Sequence, residues 1–327
     1  MSQSPSKIYC FNPTYDKESN IRDKTIFHYT SPEAMISILS HESIRFTDCQ
    51  FLNDRTEYNH ILDPLKVAIA QAEPTLYNKK IAHLVDQHLE KNFQHANSIC
   101  KRAPEGIISL ETSFLRYYVF CASIAPDSLS MWNYYVKNGT YQGYNIGISV
   151  NKVIEALPSQ NVDSILFGQI VYDSKQKVEL LVELIESADD ELEAAKSNIE
   201  NDADYDFELE CAEDEVIGNL IRKLDYYRLF FKDVSFEDEK EFRIALLLPQ
   251  TEESSAEEEI IARGFTTKNG VITPHLDLKI PKSCIKRINL SPMLERDLTV
   301  QGLMSLLYSY KYNPKIEIRY SSIPIRY

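Results

Sequence analysis

The chain has 327 residues, 43% of them hydrophobic, and carries 35 basic against 49 acidic side chains for a formal charge of −14. That length buries a large core as one big domain or two modest ones. No window approaches eighteen uninterrupted apolar residues and the opening residues lack a hydrophobic leader, so the expectation is a cytoplasmic protein without a membrane span or secretory signal.

The six cysteines are scattered with no Cys-x-x-Cys pair, so reduced thiols are expected rather than disulfides or zinc ligands. Charge is uneven along the chain. Between Glu186 and Glu215 there are fourteen Asp or Glu and one Lys, and this window alone holds −13 of the net charge. A second run, Glu252 to Glu259, adds five glutamates. The remaining surface is slightly basic, so the overall charge does not exclude a nucleic-acid target.

In chain order, residues 1–23 are polar, contain two prolines and form an arm that either docks along the body or stays loose, with order beginning at Lys24. Thr25 to Tyr29 is a short strand, and Thr30-Ser31-Pro32-Glu33 is a capping box that starts a helix with apolar face Ala34, Met35, Ile38 and Leu39. Ser43 to Thr47 follows as a second strand. His28 sits at the first strand's C-terminal end, a position that suits a ligand pocket and equally a histidine bonded to backbone. Next, Asn53 or Asp54 caps a helix and Glu57 completes the cap. Helices at about Leu65–Ala72 and Leu76–Lys101 follow, and this region holds His60, His83, His88 and His95. Glu57-x-x-His60 is half of a carboxylate-bridged metal pattern without its second copy, so no metal site is expected.

Tyr117 to Ile124 has the composition of a buried strand, which Pro126-Asp127 stops while supplying a helix cap. Met131, Trp132 and Tyr135 then share one helical face. Gly139, Gly143 and Gly147 precede or lie in a strand, Tyr144 to Val150, whose backbone can approach something closely. These elements wall a cleft, or else Trp132 and the tyrosines pack as core. Asp163 to Tyr172 is a further strand, and from Lys175 to about Lys232 two long acidic helices form, broken near Asn201-Asp202. The acidic run is a solvated face or a docking surface for a basic partner.

In the strand Glu239 to Leu248, alternation sends Phe242, Ile244, Leu246 and Leu248 to the core and sets Glu239, Glu241 and Arg243 together on the other face. The neighbouring Glu237 and Asp238 would raise the proton affinity of one carboxylate there. Strands near Ile260–Phe265, Val271–Leu278 and Cys284–Leu290, a helix at about Glu295–Tyr308 and a strand Lys315–Tyr320 complete the chain, with a rigid closing segment Ser321–Tyr327.

Five separated landmarks resemble a bacterial family known as domain-of-unknown-function family 2971. They are Phe27-His28-Tyr29-Thr30, Leu52-Asn53-Asp54 with Glu57, the Cys121 to Tyr135 block with Asp127 and Met131-Trp132, Glu239-x-Glu241-Phe242-Arg243, and Ser322-Ile323-Pro324-x-Arg326. More loosely, the order of parts is similar to an ADP-ribosyltransferase of the His-Tyr-Glu type. That resemblance implies an α+β fold of mixed or antiparallel sheets of short strands forming a cleft; with the N-terminal helices and the long acidic insert at about 175–232, which looks particular to this chain, it makes a single domain spanning 24–327.

The resemblance also implies NAD as substrate. His28 would bind the adenosine-side ribose, Tyr135 or Trp132 would stack on nicotinamide, and Glu241 would hold the nicotinamide ribose and stabilise an oxocarbenium-like transition state. Glu239 would orient or deprotonate the acceptor, with Tyr29, Thr30, Asn53 and Arg243 completing the NAD site. Tyr134 and Tyr135 are not separable by sequence. The implied protein is a toxin or phage-defence effector acting on a protein or nucleic acid. A second reading is a non-enzymatic adaptor or sensor in bacterial defence, binding a nucleotide or peptide and docking a basic partner or antitoxin on 186–215. A third is a magnesium-dependent nuclease built on Glu57, Glu239 and Glu241.

Overall fold

The computed structural model describes residues 7–13, 17–52, 60–72, 100–102, 108–110, 117–136, 142–160, 162, 164–199, 205–248, 264–268 and 270–325. The chain divides into two compact units, one made of residues 1–55, 115–170 and 232–327 and the other of 56–114 and 171–231.

The first unit opens with β1 (Lys7–Phe11), α1 (Glu18–Arg22), β2 (Thr25–Thr30), α2 (Pro32–His41) and β3 (Ser43–Asp48). The second then supplies α3 (Leu62–Gln71) and an antiparallel pair, β4 (Cys100–Arg102) and β5 (Ile108–Leu110). Returning to the first unit, the chain forms β6 (Tyr117–Ser123), α4 (Leu129–Tyr135), β7 (Tyr144–Ser149), α5 (Val150–Ala156) and β8 (Ser164–Gln169). Two long helices of the second unit follow, α6 (Ser174–Asn198) and α7 (Tyr205–Arg228). The first unit closes with β9 (Glu241–Leu247), β10 (Gly264–Lys268), β11 (Val271–Lys279), β12 (Ile285–Leu290), α8 (Arg296–Ser309) and β13 (Glu317–Tyr320).

The fold is mixed α+β. Among the described residues, eleven strands of the first unit make one open sheet in the order β1-β8-β9-β6-β2-β7-β12-β13, with β3, β11 and β10 branching from β6. Only the β1–β8 and β12–β13 pairs are parallel. The branch creates a fork. β9 runs along one edge of β6, so β2 and β3 must share the other edge, β2 meeting it at Ser123 and β3 at Val119 and Tyr118. Between these contacts the Cys121 carbonyl is left without a neighbouring strand on that edge.

Helix α2 carries the chain from one tine of the fork to the other. Ser31 caps it by accepting from the Ala34 backbone N–H at 3.3 Å, Pro32 occupies the first turn, and Glu42 ends it in the left-handed region at φ 51°. Alternation sorts the sheet into two faces. Ile26, Phe46, Phe120, Ile146, Phe242 and Ile244 build the main core with Met35 and Leu39 of α2 and Leu303 and Leu307 of α8. On the reverse face Phe27, Tyr29, Met131, Trp132 and Val136 make a smaller cluster. In the second unit, α6 packs against α3 and α7 and buries Leu180, Leu181, Leu184 and Leu192.

Several expectations are corrected. Order begins at β1, ahead of Lys24, because the largely apolar Lys7–Phe11 stretch gains a full parallel ladder with Ser164–Gly168. Gly168 permits this, since a Cβ there would collide with the Phe11 carbonyl. Cys100–Arg102 is a strand and does not end a helix begun at Leu76, and the remainder of that expected helix lies outside the described residues. No described helix is long and apolar enough to cross a membrane.

Candidate functional site

The strand that the sequence singles out does bring its charges together, but with a partner that sequence reading missed. Glu241 and Arg243 alternate onto one face of β9. Glu239 lies ahead of the strand, in a 3₁₀ turn over Val234–Glu239, and the left-handed Lys240 (φ 44°) links it to the strand. The Lys232 ammonium sits between the two carboxylates, 2.6 Å from Glu239 Oε2 and 2.9 Å from Glu241 Oε2. Arg243 donates from Nε to Glu241 Oε1 at 2.8 Å and its Nη2 lies 2.7 Å from the same oxygen. Tyr135 donates its hydroxyl proton to Glu239 Oε1 at 2.7 Å.

The four charged groups are sealed, at 5% exposure for Lys232, 6% for Glu239, 4% for Glu241 and 1% for Arg243. Two cations and two carboxylates close a neutral set, the arrangement in which buried charges persist. Burial alone would raise the Glu241 pKa, but Arg243 and Lys232 outweigh it and hold the carboxyl down at about 2. At Glu241 the shift is therefore downward, not the upward one that local acid would give. Glu237 and Asp238 are exposed, whereas the two cations touch the carboxylate.

A second hub lies on the same face. Asp127 does not cap α4, a role taken by Ser128. Its carboxylate instead accepts from Trp132 Nε1 at 2.8 Å, Ser321 Oγ at 2.7 Å, and the Ser322 backbone N–H at 2.8 Å and Oγ at 3.1 Å. Tyr29 donates to the Ala125 carbonyl at 2.8 Å and accepts from the Ser128 N–H at 3.0 Å, while Asn145 and Asn289 both donate to the Pro126 carbonyl. Trp132 is 0% exposed and meets the Tyr29 ring edge-on at 4.7 Å. It presents no face for stacking a ligand. Gly143 belongs to this packing too, since a Cβ there would come within 2.6 Å of the Thr30 carbonyl and 2.7 Å of Val136. Asp127→Ala should therefore lower stability by about 1 to 3 kcal/mol, chiefly by orphaning the buried indole N–H, and limited proteolysis should cut nearer the C-terminus than in the wild type.

His28 lies on the opposite side of the sheet. Phe27 pairs with Ser123 and Ser123 with Glu241, so Glu241 shares the face of Phe27 and Tyr29, and His28 and Thr30 alternate to the reverse. The His28 ring stacks obliquely on Phe120, centroids 5.0 Å apart. Its Nδ1 lies 3.2 Å from the Cys121 carbonyl at the fork. A carbonyl only accepts, so Nδ1 carries the proton and Nε2 the lone pair. Burial lowers the proton affinity of this imidazole and keeps it neutral at pH 7.

His28 lines an open cleft of about 780 Å³ between α2 and the β3–β11 ladder. Ala34, Ser37, Ile38 and His41 form the helical wall, and Ser43, Arg45, Thr47, Asp277 and Lys279 the strand wall. Across the ladder Arg45 and Asp277 form a two-pronged pair, with both N–H···O distances 2.9 Å. Among the described residues, no group of three or more His, Cys, Asp or Glu is placed to hold a metal ion.

The structure thus gathers Glu239, Glu241, Arg243 and Tyr135 and selects Tyr135 over Tyr134, which is 72% exposed. His28 and Thr30 instead alternate to the other side of β2 from Phe27, the residue in register with Ser123 and Glu241. Asn53 and Glu57 lie outside the described residues. Lys232, Asp127, Arg45 and Asp277 are the additions, and only Asp127 had been flagged, as a cap.

Residues 131–244 match the family described as Protein of unknown function (DUF2971). The matched stretch runs from α4 through Arg243 and contains the whole buried charge cluster, whereas His28, Arg45 and the cleft precede or follow it. No curated protein and no solved structure matches the chain.

Proposed function

We propose that this chain is a non-enzymatic sensor or adaptor that takes a nucleotide- or peptide-sized ligand in the cleft between α2 and the β3–β11 ladder. The observation that carries this reading is His28 itself. Its Nδ1 is committed to the Cys121 carbonyl, which fixes the ring and leaves an unprotonated Nε2 at the wall of a cleft of about 780 Å³, within the size range of small-molecule sites. Hydroxyls of Ser37, Ser43 and Thr47 and the charges of Arg45 and Lys279 add polar groups around it.

A transferase would need an open carboxylate beside its substrate, and Glu239 and Glu241 are instead enclosed and bonded to Lys232, Arg243 and Tyr135. The acidic stretch 186–215, on α6 and α7 among the described residues, is the surface a basic partner would take.

Calorimetric titration with a panel of nucleosides, nucleotides and short peptides tests the reading. At least one class should bind wild type, and Ser37→Trp, which fills the cleft from the exposed face of α2, should weaken that binding by about a hundredfold or more. Equal binding in both proteins, or no binding from any class, would overturn it. Incubation with labelled NAD should give neither nicotinamide release nor label transfer. Release that vanishes in a folded Glu241→Gln protein would restore the transferase.

A further inference from the structure

We infer that the ligand of this cleft is a nucleoside or nucleotide whose base carries an exocyclic amino group, such as adenine or cytosine, held against His28; this rests on the proposed cleft and names what it takes. Three features of the cleft carry the inference. First, His28 offers an acceptor and no donor, because Nδ1 is already donating to the Cys121 carbonyl. An exocyclic amino group presents two N–H donors to that lone pair, whereas the ring N–H of uracil or hypoxanthine is a single donor flanked by a carbonyl oxygen that the lone pair repels.

Second, the ladder wall holds a flat polar plate. The Arg45 guanidinium and the Asp277 carboxylate are joined by two parallel bonds of 2.9 Å, and their side chains are 47% and 45% exposed. A doubly bonded guanidinium is planar and rigid, and guanidinium planes are surfaces on which bases stack. With its charge matched by Asp277, the plate suits a neutral aromatic ring better than a bare phosphate.

Third, three hydroxyls and a lysine among the other lining groups, which also include Glu33 and His41, fit the rest of a nucleoside. Ser37, Ser43 and Thr47 supply hydroxyls that both donate and accept, as ribose hydroxyls require. Lys279 sits two rungs beyond the Arg45–Asp277 pair, opposite Ser43, where its ammonium donates to the His41 carbonyl at 2.7 Å and keeps further donors for a 5′-phosphate.

Calorimetric titration of the full chain with adenosine, cytidine, inosine, uridine and purine riboside tests this directly. Adenosine and cytidine should bind about tenfold or more tightly than inosine, uridine and purine riboside. His28→Phe, with its fold verified by thermal melting, should erase the difference. The comparison among nucleosides on wild type stands even if that variant does not fold. Equal affinity for all five, or a preference that survives in His28→Phe, would overturn the inference. If peptides bind and Ser37→Trp blocks them while no nucleoside binds, the inference fails and the cleft reading stands. If nothing binds, both fail.

Discussion

Glu241→Ala should destabilise the protein by about 3 to 5 kcal/mol, as removal of one member of a buried ion pair does. The loss follows from what stays behind. Lys232 and Arg243, at 5% and 1% exposure, would keep their charges in a space that excludes water. Glu241→Gln preserves the shape but not the charge and should fall in the same direction, whereas an exposed catalytic glutamate would tolerate that change with little effect on stability. Urea unfolding at pH 7 measures both, and a loss below about 1 kcal/mol in each would mean that the cluster is not closed.

The same group sets an acid limit. Its pKa is held at about 2 in the folded protein against an ordinary 4.5, so its contribution to stability is complete above about pH 4.5 and disappears as the pH falls towards 2. Glu241→Gln should flatten the stability profile across that interval.

Trp132→Ala should remove another 3 to 5 kcal/mol, the range for deleting a fully buried large aromatic side chain. The ring is 0% exposed, packs edge-on against Tyr29 and anchors Asp127 through Nε1. Trp132→Phe keeps most of the apolar volume and loses the hydrogen bond to Asp127, so its loss should be smaller, about 1 to 3 kcal/mol. Neither change should alter ligand affinity in material that remains folded, because Trp132 is fully buried within its own cluster and is not among the residues lining the cleft. A folded Trp132→Phe protein that loses ligand binding at unchanged stability would show that the indole is a stacking surface after all.

Local chemistry was legible wherever it was decided within a few residues. The strand, capped helix and strand from Thr25 to Asp48 follow from alternation, Ser31-Pro32 and the apolar face of α2. The core-facing Phe242, Ile244 and Leu246 follow from period two in β9. What depends on register between distant strands was not legible. Two pairings, Phe27 with Ser123 and Ser123 with Glu241, decide that His28 and Glu241 face opposite ways, and no pattern within either segment encodes them. Lys232 was hidden for a related reason. It follows the apolar Leu229-Phe230-Phe231 as a lone basic residue, and its role shows only when the turn at Val234–Glu239 folds it back onto two carboxylates. The upward shift expected for one carboxylate of this group is not what Glu241 shows, because Glu237 and Asp238 are near it in sequence while Arg243 and Lys232 touch it in space.

The most direct measurement is a long-range proton–nitrogen NMR spectrum of histidine-labelled protein at pH 7, recorded with and without saturating adenosine. The account predicts that His28 is protonated at Nδ1 only and that its Nε2 resonance moves when adenosine is added. A doubly protonated His28, or an Nε2 resonance that stays put while adenosine binds, would contradict it.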